Sequence, residues 1–231
     1  MFCRSSCLSI VLTIILTTAW SADVWAGCSN RAGKGVNWTG CRKVRLYLAK
    51  SNLTGARLER TNVTGTNFTH AVLIKANLVR ATLSHSILNG ADLRNANLSG
   101  AIGVDAHMAK VRLSGANLLE ADLYRSDLSR ANLRSANLTG AQLGQTDLTG
   151  AVLDSAKANH ANFLRADLRR ASLKGTDLAH AYLFKANLEG VDLSTAKGLT
   201  QGQLDQSCGN LQTTLPSGLN IPKSWPCESR P

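Results

Sequence analysis

The chain has 231 residues, with 26 Lys and Arg against 15 Asp and Glu, for a formal net charge of +11. Only 5% of it is aromatic, which excludes the aromatic-anchored core usual in a globular domain of this length and leaves Ala and Leu to supply the burial. The positive balance favours anionic partners.

Residues 1–26 have the layout of a secretory signal peptide. Arg4 supplies a positive start, Leu8 to Ala19 is an apolar run of twelve, and Val24-Trp25-Ala26 offers small residues ahead of a cleavage. So short a run does not cross a hydrocarbon core of about 30 Å as a helix, so the mature chain is expected to be periplasmic or secreted, without a transmembrane anchor. Ala26-Gly27-Cys28 also ends like a lipobox, although Trp25 stands where that motif has Leu. Lipidation of Cys28 is therefore the competing reading. Cleavage leaves Cys28, Cys41, Cys208 and Cys227, and an even number in an exported chain points to disulfides, with three pairings open.

From Leu48 to Leu193 the sequence repeats every five residues without insertion or deletion. Ala116-Asn117-Leu118, Ala121-Asp122-Leu123 and Ala131-Asn132-Leu133 show the unit. Of thirty central positions, all are Leu, Val, Phe or Met except Gly103 and Ala158. The residue two before each centre is small or β-branched from Ser51 to Val191, and the one just before is usually Asn or Asp. A step of five spreads the centres around an α-helix and alternates them across a strand, so neither could bury them together. The chain must turn between repeats, which is the pattern of a solenoid whose coils bury a core by stacking.

These A(D/N)LXX repeats resemble the pentapeptide-repeat family over about two thirds of the chain. The resemblance implies an all-β fold, a right-handed quadrilateral β-helix with four repeats per coil. At a strand spacing of about 4.8 Å the thirty repeats make about seven coils and a rod about 35 Å long. The expected organisation is a signal peptide over 1–26, an N-terminal cap over 27–47, the β-helix over 48–198 and a C-terminal cap over 199–231. Thr200-Gln201-Gly202-Gln203 reads as a capping box opening a short helix that ends near Gly209. On the implied rod the two pairs of cysteines lie at opposite ends, which leaves Cys28 with Cys41 and Cys208 with Cys227. Gly103 and Ala158 are expected to leave gaps that Met108 and Phe163 lean into.

Residues twenty apart share a column on that fold. Val104, Tyr124, Leu164 and Phe184 form an apolar stripe, bordered by Arg125, Arg165 and Lys185, and this is the candidate interaction surface. Asp127, Asp147 and Asp167 stack like charges, with Arg125, Arg130 and Arg165 near enough in sequence to neutralise them. His160 and His180 stack as a candidate transition-metal pair without a third ligand. No nucleophile-base constellation, phosphate loop or metal-binding cysteine spacing is present, so neither catalysis nor a cofactor or metal is expected.

The expected function is that of an exported, non-enzymatic interaction scaffold. Its partner is a protein or an anionic envelope component, or a second copy of the chain. Some members of the family protect DNA gyrase as acidic, DNA-like rods. The basic charge and the leader depart from that pattern, and nucleic acid is not an expected partner.

Overall fold

The computed structural model describes residues 27–227, and the signal peptide expected over 1–26 lies outside them. From Asn37 to Lys197 one local unit recurs, a single bridging residue followed by a tight turn. Each bridging residue pairs in parallel with the residue twenty further on, from Asn37 with Arg57 to Asp177 with Lys197. A turn every five residues and a rung every twenty make a coil with four sides.

The backbone explains the repeat's chemistry. The Leu53 N–H donates up the stack to the Val72 carbonyl at 2.6 Å, and the Arg57 N–H donates back to the Val36 carbonyl at 2.8 Å. At the corner, the Ala56 N–H donates to the Leu53 carbonyl at 3.0 Å, closing a β-turn around Thr54 and Gly55. The Gly55 N–H reaches the Ile74 carbonyl at 2.9 Å. One N–H per repeat is left over, that of the residue after the centre, and the preceding Asn or Asp takes it. Asn52 Oδ1 accepts from the Thr54 N–H at 3.1 Å, Asp122 from Tyr124 at 3.1 Å and Asn162 from Leu164 at 2.9 Å. This local bond is why a short carboxylate or amide precedes the leucine.

Leucine centres and the small residues two before them form one continuous buried core. Where Thr replaces Ala, its hydroxyl is paired inside: Thr61 donates to the Trp38 carbonyl at 2.6 Å and Thr176 to the Leu153 carbonyl at 2.8 Å. Gly103 leaves no gap for Met108 to fill. A Cβ there would stand 2.9 Å from Leu123 Cδ2, so the residue one coil above occupies the space. The reason is geometric, because side chains of one column stack along the axis whereas Met108 belongs to the adjoining side. Ala158 and Phe163 are both fully buried.

From Gly35 to Gly190 the last residue of each turn is left-handed, whether or not it is glycine. Twenty-one non-glycine residues have φ between 53° and 58°, among them Arg45, Lys110, Arg170 and Lys185. A side chain costs about 1 to 2 kcal/mol there.

The ladder starts earlier and ends later than the leucine pattern, which placed its limits at 48 and 198. Asn37, Arg42 and Tyr47 already bridge to the next coil. Trp38 and Lys43 stand at centre positions, with Lys43 Nζ 4.5 Å from the centroid of the Trp38 ring, and neither reads as a repeat. At the far end Asn187 pairs with Cys208 and Asp192 with Thr214, so the step lengthens from twenty to twenty-one and then twenty-two.

The insertion that lengthens it holds α1, Gln201–Asp205, capped by Thr200 with Gln203 as its reciprocal partner. The helix stops short of Gly209 because Cys208 rejoins the ladder. Gln203 Nε2 donates to the Leu178 and Ala181 carbonyls at 2.9 and 2.8 Å, covering backbone that the stack leaves open. Cys28 is bonded to Cys41 and Cys208 to Cys227, with Cα separations of 5.5 and 4.8 Å. No helix among the described residues is long and apolar enough to cross a membrane.

Candidate interaction surface

One side of the coil, whose bridging residues run from Arg42 through Ile102 to Tyr182, presents an apolar, partly aromatic surface. Because side chains alternate about each buried centre, the residues before and after it both face outward. Val104, Tyr124 and Leu164 are half-buried, and Phe184 is 36% exposed. The sequence reading took only the column after the centre. The column before it contributes Ile102 and Tyr182, 44% and 46% exposed. Reading both outward positions of each repeat, rather than one, would have found them.

The rings are ordered along this side. Tyr182 and Phe184 stack across Leu183, with centroids 6.1 Å apart and planes 13° apart. Tyr124 leans along the axis, so that a Cβ on Gly144 would meet its ring at 3.1 Å. Gly144 is thus covered by Tyr124 rather than marking a break in the stripe.

The basic border divides in two. Arg125 donates from Nε and Nη2 to Asp105 at 2.8 and 2.6 Å, and its guanidinium lies 5.7 Å from the Tyr124 centroid. That hydrogen bond holds the Asp105 carboxyl below its ordinary range, and the charge is spent within the chain. Lys185 Nζ stands 5.6 Å from the Phe184 centroid. Among the described residues neither Lys185 nor Arg165 has an ion-pair partner. The free positive charge therefore lies beside the aromatic pair.

The other two columns behave differently from one another. Asp127, Asp147 and Asp167 do stack, but each carboxylate accepts the N–H two residues on, from Ser129, Thr149 and Arg169 at 2.9, 2.8 and 3.1 Å. Asp167 is also gripped by the Arg169 fork at 2.6 to 3.0 Å. Asp167 alone of the three is thus ion-paired among the described residues, by Arg169 two residues on, while Arg125 is committed to Asp105. His160 and His180 stack with centroids 4.9 Å apart, and no group of three metal-ligating side chains occurs among the described residues.

A four-sided parallel stack with a filled axis and an ordered outer surface defines the class as a β-solenoid, which offers partners a side rather than a cleft. Within that class, the chain belongs to the pentapeptide repeat family, whose model, Pentapeptide repeats, matches residues 51–90, 76–102, 91–130, 131–170 and 161–197. The family's fold is the right-handed quadrilateral β-helix. A trypsin-treated variant of QnrB1, a plasmid-mediated fluoroquinolone resistance protein, is 19% identical, with a TM-score of 0.51 over 84% of this chain and 86% of that one. HetL, a pentapeptide repeat protein involved in heterocyst differentiation regulation from the cyanobacterium Nostoc sp. strain PCC 7120, is 29% identical. It aligns over 85% of this chain and 96% of its own, with a TM-score of 0.35. No curated protein matches the sequence.

Proposed function

We propose that this chain is an exported, non-catalytic scaffold that holds a protein partner against the side carrying Tyr182 and Phe184. The observation that carries the reading is the stacked, solvent-facing aromatic pair beside the unpaired Arg165 and Lys185. Aromatic and Arg side chains are the usual anchors of protein interfaces, and a cation at the rim selects an anionic partner. On this reading residues 1–26 are a removed leader, and the two disulfide-bonded ends close the first coil and the last turns of the rod. The disulfides fit an oxidising compartment. The gyrase-protecting alternative lacks its electrostatic basis, since a DNA-like rod is anionic and this chain carries +11.

Photocrosslinking from position 182 in cells, joined to fractionation, tests the proposal. A discrete exported partner, lost on Phe184→Ala and weakened by charge reversal of Arg165 and Lys185, is the expected result. Recovery from the cytoplasm with a topoisomerase, or capture unaffected by those changes, overturns it. A crosslink between two copies replaces the foreign partner with a homodimer.

A further inference from the structure

The charge of the rod is concentrated at one end. Residues 27–91 hold ten Lys and Arg and a single carboxylate, Glu59, for a net of +9, whereas residues 92–227 hold fourteen against twelve, a net of +2. Nine of the ten basic side chains are exposed, and Lys43 is half-buried. Among the described residues only Arg57 of these ten is in an ion pair, at 3.7 Å from Glu59. Lys43 lies over the Trp38 ring. The electrostatic asymmetry is thus not an artefact of cations matched by local acids.

Five of these cations occupy left-handed corner positions, Arg45, Lys50, Arg60, Lys75 and Arg80. Glycine is the least strained residue at such a corner, and Gly55 and Gly65 show that the same turn accepts it nearby. Long cations stand at five corners where the fold itself prefers no side chain. They are also distributed around the axis. Each of the four sides ends in a turn, and the corners after the four successive sides carry Arg45, Lys50, Lys75, and Arg60 with Arg80. Arg45 to Arg80 spans less than two rungs, so the whole collar lies within about 10 Å of the rod's first coils.

This arrangement selects among anionic partners. A linear polymer lying along the rod meets one or two edges and favours a stripe running the length of one side. A plane meeting the end of the rod lies near all four edges at once. At physiological salt the field of a charged membrane decays over about 8 Å, comparable to the depth of the collar. Tyr47, 80% exposed at the same end, adds an amphipathic ring of the kind that settles at a headgroup layer. We infer that the N-terminal end of the rod docks end-on to an anionic lipid surface through the collar of Arg45, Lys50, Arg60, Lys75 and Arg80. The site is separate from the Tyr182 and Phe184 surface, and neither proposal depends on the other.

The test is co-sedimentation of the full, disulfide-bonded chain with phosphatidylcholine vesicles, with and without about one third phosphatidylglycerol. Two variants are compared with the unaltered chain. One changes the five collar residues to Gly, and the other changes Lys110, Arg130, Arg165, Arg170 and Lys185 to Gly. Both remove five positive charges at left-handed corners, where glycine relieves strain, and thermal melting verifies that each remains folded. The expected result is binding to the anionic vesicles only, weakened at least about tenfold in the collar variant and within about twofold of the original in the other. Equal losses in the two variants reduce the effect to net charge and overturn the proposal, as does unchanged binding by the collar variant. Collar-dependent binding to dissolved dextran sulfate without vesicle binding replaces the membrane with a linear polyanion, and likewise overturns it.

Discussion

Leu123 Cδ2 stands 2.9 Å from the point where a side chain on Gly103 would begin. The leucine missing at Gly103 is therefore made good along its own column of centres. Gly103→Ala is expected to destabilise the rod, by about 1 to 3 kcal/mol of overpacking, although it restores a methyl group to the core. Leu123→Ala opens both sites together and should cost about 3 to 5 kcal/mol, the upper part of the range for such truncations. Chemical denaturation of both variants checks the order, and a stabilising Gly103→Ala would show that the space is not filled.

A second expectation concerns the corners. Arg170→Gly and Lys110→Gly should each raise stability, by up to about 1 kcal/mol, since both residues have φ of 58°. Gly175→Ala, at φ 67°, should lower it by about as much. Opposite shifts of the thermal midpoint for the two kinds of change are the required signature.

The repeat unit was legible in the sequence because its period, small residue and leucine each answer one steric demand. The Asn or Asp before the centre was visible as a preference, and its cause appeared only with the backbone, where Asn52 and Asp122 each accept one leftover N–H. Trp38 and Lys43 hid the first coil, because a tryptophan paired with a lysine does not look like a leucine centre. The apolar side of the coil was half legible. Val104, Tyr124, Leu164 and Phe184 form one column, but Tyr182 belongs to the next, and the diversion of Arg125 onto Asp105 is a matter of side-chain conformation.

The ends should unravel separately. Reducing Cys28–Cys41, or changing both to Ala, is expected to raise hydrogen exchange in the first coils, and loss of Cys208–Cys227 to raise it around Asn187 and Asp192. Each bridge closes a short loop worth about 3 kcal/mol, and in a stack of nearest-neighbour contacts the effect stays local. Exchange that rises evenly along the rod from either change would contradict this.

Gln203→Ala removes both donors from the Leu178 and Ala181 carbonyls. Two acceptors left without their partners cost about 1 to 3 kcal/mol each if water does not replace them. Faster exchange at Lys185 and Leu188, whose N–H groups donate to Gln206 and Cys208, with the centre of the rod unaffected, is the expected pattern, and Gln203→Glu should not restore protection because its carboxylate cannot donate.

Acid should loosen the C-terminal end. Hydroxyls of Thr214 and Ser194, donating at 2.6 and 2.7 Å, hold the Asp192 carboxyl at about 2, below its ordinary 3.8. A carboxylate with a lowered folded value contributes stability that is complete above about pH 4 and is lost as pH falls toward about 2. The thermal midpoint should therefore decline across that window, and Asp192→Asn should make the decline shallower. A midpoint unchanged between those values would remove Asp192 from the account.

The lengthening step at the far end, from twenty to twenty-one to twenty-two residues, has a consequence for assembly. Every coil before it is a copy of the one beneath, and such a lattice carries no instruction to stop: a second molecule could add its first coil to the last and grow a filament. Once the final turns fall out of step, the top layer offers hydrogen-bonding groups at spacings that no fresh coil matches. The uneven count of residues at this end breaks the register on which such growth would depend.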